Sequence, residues 1–351
     1  MAASINDPRR HVRYHPERVG DVSSTDYPGH YPGEDHSWNY TKWKKNLVVR
    51  VQRLSDASIE FDLVGVDASI ANALRRILIA EIPTIAIDPV FVWQNTSVVH
   101  DEVFAHRLGL VPLAINPHRL HYKGDDAALD SNTVVFKLHV RCERNFKAAK
   151  GETDPEKLYF NSNIYSRDLV WSPQGSQEKT LGSPPKPANP NILLAKLRPG
   201  QEVEIEMHAV KGISSLHAKW SPVATASYRL LPHIIIREPI PSEHAEKFKN
   251  CFAPGVIEIR EEGGEKKVEV VNPRKETMSR EVLRHDEFEG KVELTRIRDF
   301  FMFKIESTGC YPPADLFSES ISVMREKIGV MKAEVEKLKA MAEGGGDEAM
   351  T

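Results

Sequence analysis

The chain has 351 residues, with 47 Lys and Arg against 50 Asp and Glu and a formal net charge of -3, a length that suits two domains with ordinary cores. Near-neutrality removes the general basicity of a protein that holds nucleic acid by charge alone, so no direct sequence-specific DNA contact is expected. The cysteines, Cys142, Cys251 and Cys310, lie far apart with no C-x-x-C pair, which excludes a disulfide framework and a zinc ribbon and leaves free thiols in a reducing compartment.

The opening stretch to Pro16 has no apolar core of a signal segment, and no apolar run approaches the roughly 18 residues of a membrane span. A soluble intracellular protein without membrane contact is expected. Residues 1–44 mix Pro, Gly, His, Arg and scattered Tyr and Trp without period, and read as an extended arm whose aromatics dock somewhere. Its cluster of Arg9, Arg10, Arg13 and Arg18 reads as a solvated tail rather than a phosphate contact.

Order begins with Leu47 to Val51 and Ser58 to Val64, where Ile59, Phe61 and Leu63 alternate with Glu60 and Asp62; this is a hairpin with one buried face. Asp67 then caps a helix carrying Ile70, Leu74, Ile77 and Leu78 at helical spacing, and Pro83 sets its limit at Glu81. An extended stretch from Thr84 to Trp93 leads to a helix over Asp101 to Leu108, ended by Gly109. Period-two alternation marks further strands at Val134 to Val140 and Val203 to Met207. Between them, the proline-rich Ser172 to Asn191 reads as a surface loop.

The last section predicts strands at Tyr228–Ile236, Val256–Arg260, Lys267–Val271 and Asp299–Glu306, then a helix after Pro312-Pro313. In that helix Phe317, Ile321, Met324, Ile328, Met331, Val335 and Leu338 step by 4, 3, 4, 3, 4 and 3, an a/d seam. Each such side chain gains roughly 1.5 to 3 kcal/mol on leaving water, on the order of 10 kcal/mol gross, so the seam has to be covered. Two covers stay open at this point: the chain's own sheet, or a partner helix. Residues 341–351 are Gly-rich and polar, and a disordered tail is expected.

No P-loop, G-x-G-x-x-G before a helix, H-E-x-x-H, G-x-S-x-G or EF-hand pattern occurs, which removes the motif-based enzyme readings. His100, Asp101 and His106 with Cys142 could be written as a metal set, but an ordinary surface helix accounts for them. His217, Ala218, Lys219, Trp220 and Pro222 read as a structured corner. Arg75-Arg76 stands in an apolar helix, either as interface guanidinium groups or as a solvated face.

The run from Asp67 to Asp88, DASIANALRRILIAEIPTIAID, resembles the signature of the RNA polymerase alpha-like subunits. Ala105 to Leu113 (AHRLGLVPL), and Lys211-Gly212-Ile213 through His217 to Val223 (HAKWSPV), match further segments in the same order. In detail the chain is similar to the larger alpha-like subunits shared by RNA polymerases I and III. The resemblance implies an α+β fold: a split dimerisation domain, 45–81 and 222–340, with an antiparallel sheet and two interface helices, interrupted by a β-rich insertion domain, 82–221.

It also implies a smaller alpha-like partner, covering the seam together with Ile70, Leu74, Ile77 and Leu78, and assembly contacts through Arg75, Arg76, Glu81, His106 and Arg107. The second-largest and largest polymerase subunits and small zinc-binding subunits would follow, in the nucleus including the nucleolus, for rRNA, 5S rRNA and tRNA synthesis. Some relatives hold zinc or an iron-sulfur cluster on a cysteine group after the Leu-Gly-Leu segment. Residues 116–133 here contain no cysteine, so no cofactor is expected, and that loss favours polymerases I and III over II. No N-A-D-F-D-G-D-like run marks a catalytic magnesium loop. The remaining alternatives are the polymerase II counterpart, a self-associating coiled-coil adaptor outside transcription, and a small-molecule enzyme with saturable turnover as a single chain.

Overall fold

The computed structural model describes residues 7–22, 33, 35, 37–149, 151–262 and 264–344. Its principal elements in chain order are β1 (His11–Tyr14), β2 (Val19–Gly20), α1 (Tyr40–Asn46), β3 (Val48–Leu54), β4 (Ser58–Val64), α2 (Ala68–Ala80), β5 (Thr84–Asn95), α3 (Asp101–Gly109), β6 (Thr133–Arg141), β7 (Val170–Ser172), β8 (Glu202–Gly212), β9 (Val223–Ile236), α4 (Ala245–Asn250), β10 (Ile257–Glu262), β11 (Glu265–Val270), β12 (Val292–Ser307) and α5 (Pro313–Gly344). The fold is α+β. Two compact units form: Met1–Arg53, Glu60–Asn72 and Ser227–Lys304 in one, and Leu54–Ile59, Ala73–Ala226 and Ile305–Thr351 in the other.

The first unit carries the body of a six-stranded sheet ordered β2-β1-β12-β4-β3, with β9 also on β12. The alternation in β4 buries Phe61, whose ring stacks on Phe303 at 5.2 Å, while Tyr228 meets Phe301 edge-on at 5.1 Å. Asp62 faces the other way and is buried, yet it is paired: Arg274 donates to its two oxygens at 2.7 and 2.9 Å and Gln52 at 2.6 Å. Removing one partner of a buried ion pair leaves an uncompensated charge. Arg274→Ala is therefore expected to lower unfolding free energy by about 2 kcal/mol, less than for a fully enclosed pair because the guanidinium is partly in water. Urea denaturation of the full chain checks it. A second cluster packs Phe248 of α4 with Phe252, Ile257, Val282, Phe288 and Leu294.

Turn chemistry sets the entry to α2. Gly65 adopts φ +83°, and a Cβ there would lie 2.4 Å from the Asn46 carbonyl oxygen, so both conformation and space call for glycine. Asp67 accepts from the Ser69 amide at 2.8 Å and from its hydroxyl at 2.5 Å, and these bonds, the hydroxyl's first, hold the carboxyl below the usual range. Asp67→Ala is expected to cost about 1 kcal/mol. Because the folded-state pKa is the lower one, the cap's contribution is complete above the ordinary carboxylate pKa and fades as pH falls through the depressed value. Thermal unfolding of wild type and variant across acidic pH should converge accordingly.

In the second unit a four-stranded sheet runs β7-β6-β8-β5, with Met207 opposite Phe136 on one side and Val90 on the other. Val203, Ile205 and Met207 point inward as their alternation predicts, into a core with Ile85, Ile87, Phe104 and Leu108. Phe104 and Leu108 of α3 lie four apart on one helical face, and Gly109, expected just past this helix, is its last residue.

Three expectations are corrected. The arginine cluster of the N-terminal arm is not a solvated tail: Arg10 bonds Asp299 at 2.6 Å and Arg13 pairs with Glu293 at 3.0 Å, while His11–Tyr14 pairs with β12 from Ile297 to Leu294. Four residues are too few to display a period. The proline-rich 172–191 stretch is anchored, because fully buried Gln177 donates to the Asp130 and Thr133 carbonyls at 2.9 and 2.6 Å. The stretch expected as a tail from 341 is helical at its start, since α5 continues to Gly344; residues 345–351, and residues 1–6, 23–32, 34 and 36 of the arm, lie outside the described residues. Among the described residues no helix is long and apolar enough to cross a membrane.

Candidate partner interface

Helix α5 starts at Pro313, where a missing N–H is harmless and φ is already helical. Asp315 in the first turn suits the positive end of the helix. This turn is rooted in the second unit: Leu316 is fully buried, and the buried Tyr311 hydroxyl donates to the Pro83 carbonyl at 2.8 Å, with burial pushing that phenol far above its usual range. A hydrogen-bond contact and an ion pair hold the next turns, His118 with Glu319 at 3.2 Å and Lys327 with Glu81 at 2.8 Å.

Beyond that point the helix is uncovered. Phe317 and Met324 are half-buried, but from Arg325 to Met341 every side chain is exposed. Within this stretch lie the seam residues Ile328, Met331, Val335 and Leu338, at 45, 68, 49 and 64% exposure, and Ile321 before them is 41% exposed. The seven positions repeat every 3.5 residues and form one stripe. A stripe of this kind standing in water is the mark of an interaction surface, and the chain's own sheet does not cover it.

Helix α2 is placed differently. Leu74, Ile77 and Leu78, expected beside the seam at the interface, are already buried within the single chain at 5, 4 and 0% exposure. Ile70 and Arg75 are half-buried and Arg76 is exposed. Periodicity identifies an apolar face but does not say whose surface covers it. Glu81, expected as an assembly contact, takes Lys327 of the same chain. Among the others, Arg107 is exposed and donates to the Leu193 carbonyl at 2.7 Å, while His106 lies against His217 with ring centroids 6.3 Å apart.

The corner near Trp220 assembles as a unit. His217 accepts from the Lys219 amide at 3.1 Å, opening the short turn Ala218–Trp220. Lys219 pairs with Asp88 and lies 4.4 Å over the Trp220 ring. The indole donates to the Val210 carbonyl at 3.1 Å, the Thr84 hydroxyl donates to the Trp220 carbonyl at 2.8 Å, and Thr308 donates its amide to the Pro222 carbonyl at 3.0 Å. Sequence reasoning read the 217–222 corner but named Gly212 only within a family-like segment and not as part of that corner, where it lies directly under the indole. A glycine ending a strand is the signal that points to it.

The residues that could be written as a metal set are not gathered into one. Residues 116–133 offer no thiol, Cys142 is fully buried whereas His100 and His106 are exposed, and among the described residues no group of three or more His, Cys, Asp or Glu could hold an ion.

Comparison with known proteins adds the following. The family model of the RNA polymerase Rpb3/Rpb11 dimerisation domain matches residues 60–328. The chain is similar to the DNA-directed RNA polymerases I and III subunit RPAC1 of Homo sapiens, 47% identical over 336 residues, covering 93% of this chain and 96% of that protein. The RPAC1 of Saccharomyces cerevisiae is 47% identical over 321 residues, covering 90 and 95%. Similarity to the DNA-directed RNA polymerases II, IV and V subunit 3 of Arabidopsis thaliana is lower, 32% over 305 residues, covering 81 and 90%.

Proposed function

The chain belongs to the RNA polymerase Rpb3/Rpb11 dimerisation-domain family, and from that premise we propose that it is the larger alpha-like assembly subunit shared by RNA polymerases I and III. In this role it pairs with a smaller alpha-like chain, and the pair receives the second-largest and then the largest subunit, with small zinc-binding subunits alongside. It supports rRNA, 5S rRNA and tRNA synthesis from the nucleus and nucleolus, and it contributes architecture and neither a catalytic group nor a cofactor. Its dimerisation domain is split, 45–81 and 222–340, around an insertion of 82–221.

One observation carries the reading: a heptad stripe from Ile321 to Leu338 that this chain leaves in water, in a protein alike over nine-tenths of its length to subunits named for polymerases I and III. The stripe requires an apolar partner helix. Identity of 32% to a subunit named for polymerases II, IV and V fits a place in polymerase II less well.

Affinity purification of the tagged chain with mass spectrometry of its stoichiometric partners tests this. Recovery of the largest subunits of polymerases I and III, with one common small alpha-like chain, is expected. Recovery of polymerase II alone would overturn the class while keeping the family, and a homodimer without polymerase would return the adaptor reading.

A further inference from the structure

Among the described residues strand β3 ends its sheet, so one side of its backbone presents N–H and C=O groups that no described strand takes. Such edges are templates for pairing, and proteins ordinarily blunt them by keeping them short, by charged side chains, by a proline or bulge, or by a covering element; here only the charges of Arg50 and Arg53 do so, and they repel a basic strand but not an acidic one. β3 has seven residues without proline, and every one is exposed, including Val49, Val51 and Leu54 at 51, 54 and 57%. It is an open edge of mixed character, four apolar residues with Arg50, Gln52 and Arg53.

The charge around it has one sign. From Ser37 to Ser55 the chain carries Lys42, Lys44, Lys45, Arg50 and Arg53 and neither Asp nor Glu, and all five are exposed. None of them is in an ion pair among the described residues. Immediately before β3, Trp38 and Tyr40 stand open at 74 and 54% with their rings 6.0 Å apart. A single-stranded nucleic acid would use the lysines and rings, but it would make no use of an open backbone edge or of valines set between arginines. An extended polypeptide uses both: main-chain bonds give affinity, and alternate side chains give specificity.

We propose that β3 is a docking edge for a second polypeptide, an acidic extended segment that adds as a further strand along Val48–Leu54 and carries carboxylates on both of its faces, to meet Arg50 on one side of the sheet and Arg53 on the other. The lysines of α1 continue the basic field towards its end, and the exposed rings of Trp38 and Tyr40 offer an aromatic anchor. The proposal rests on β3 and its flanking residues alone and does not depend on the polymerase assignment.

The probes are a decapeptide repeating Val-Val-Glu-Glu, which places glutamates on both faces of a strand, its twin with lysine for glutamate, and an oligothymidylate, each added to the purified full chain. Fluorescence anisotropy reads binding and hydrogen–deuterium exchange reads location. The glutamate peptide is expected to bind, to slow exchange over 48–54 and to weaken as salt rises. Arg50→Glu with Arg53→Glu, at exposed positions and checked for fold by circular dichroism, should lose that peptide by about tenfold or more and gain the lysine twin. Arg50→Gln with Arg53→Gln should lose the first without gaining the second. Equal binding of both twins, protection over 317–338 instead of 48–54, displacement by the oligothymidylate, or no binding would each overturn the proposal.

Discussion

Replacing Ile328 and Met331 by aspartate is expected to leave this chain folded and to abolish its 1:1 complex with a smaller alpha-like partner. Both side chains stand in water in the single chain, at 45 and 68% exposure, so their own fold loses nothing by the change. In the complex, each would otherwise gain roughly 1.5 to 3 kcal/mol on burial, and each aspartate adds the cost of desolvating an unpaired charge. Affinity should fall by more than about a hundredfold. Circular dichroism and thermal unfolding of the full chain should match wild type, while size-exclusion chromatography with light scattering should show two separate species. A complex that survives both substitutions would remove α5 from the interface. Leu74→Asp is the weaker test: Leu74 is 5% exposed inside its own chain, so losing the complex there would report misfolding as readily as a lost contact.

This difference between Ile328 and Leu74 shows where the sequence can be read and where it cannot. Period is a local property, and it gave both apolar faces, the strand alternation of β4 and β8, and the proline that starts α5. Ownership of an apolar face is a tertiary property. The α5 stripe is mostly bare and that of α2 is not, yet the two read alike in sequence, and only the resemblance to alpha-like subunits proposed a partner for α2 and chose one over the chain's own sheet for α5. Short elements fail for another reason. β1 is held by register against β12 and by the Arg10–Asp299 pair, contacts whose sequence separation of 289 residues no window along the chain can see. Burial of a polar residue is equally hidden: Gln177 sits in a stretch that reads as solvent-facing, and it is buried because two main-chain carbonyls from distant residues take its amide. The Trp220 corner lies between these cases, since its residues announced a structured turn while its close contact with Gly212 did not appear.

That contact makes Gly212→Ala the sharpest stability test. Glycine weakens a strand interior, and on propensity alone alanine at the end of β8 should stabilise by up to about 1 kcal/mol. Space argues the opposite. A Cβ at Gly212 would lie 2.4, 2.6 and 2.8 Å from Cε2, Cδ2 and Nε1 of Trp220, closer than carbon atoms approach. The indole has no room to yield, because it donates to the Val210 carbonyl, packs with Ala86 and Val210, and carries Lys219 over its face. Steric cost therefore wins, and Gly212→Ala is expected to lower the unfolding free energy by about 3 kcal/mol. The sign already separates the two effects, and a second variant assigns the cause. Trp220→Leu is itself destabilising, through the volume and the hydrogen bond it removes, but it clears the space that the new methyl needs. In the double variant the penalty for Gly212→Ala should shrink by at least about 1 kcal/mol, a coupling well above the few tenths that independent sites show. Urea unfolding of the four proteins measures it. Strict additivity would mean that the backbone at Gly212, and not the indole above it, is what excludes a side chain.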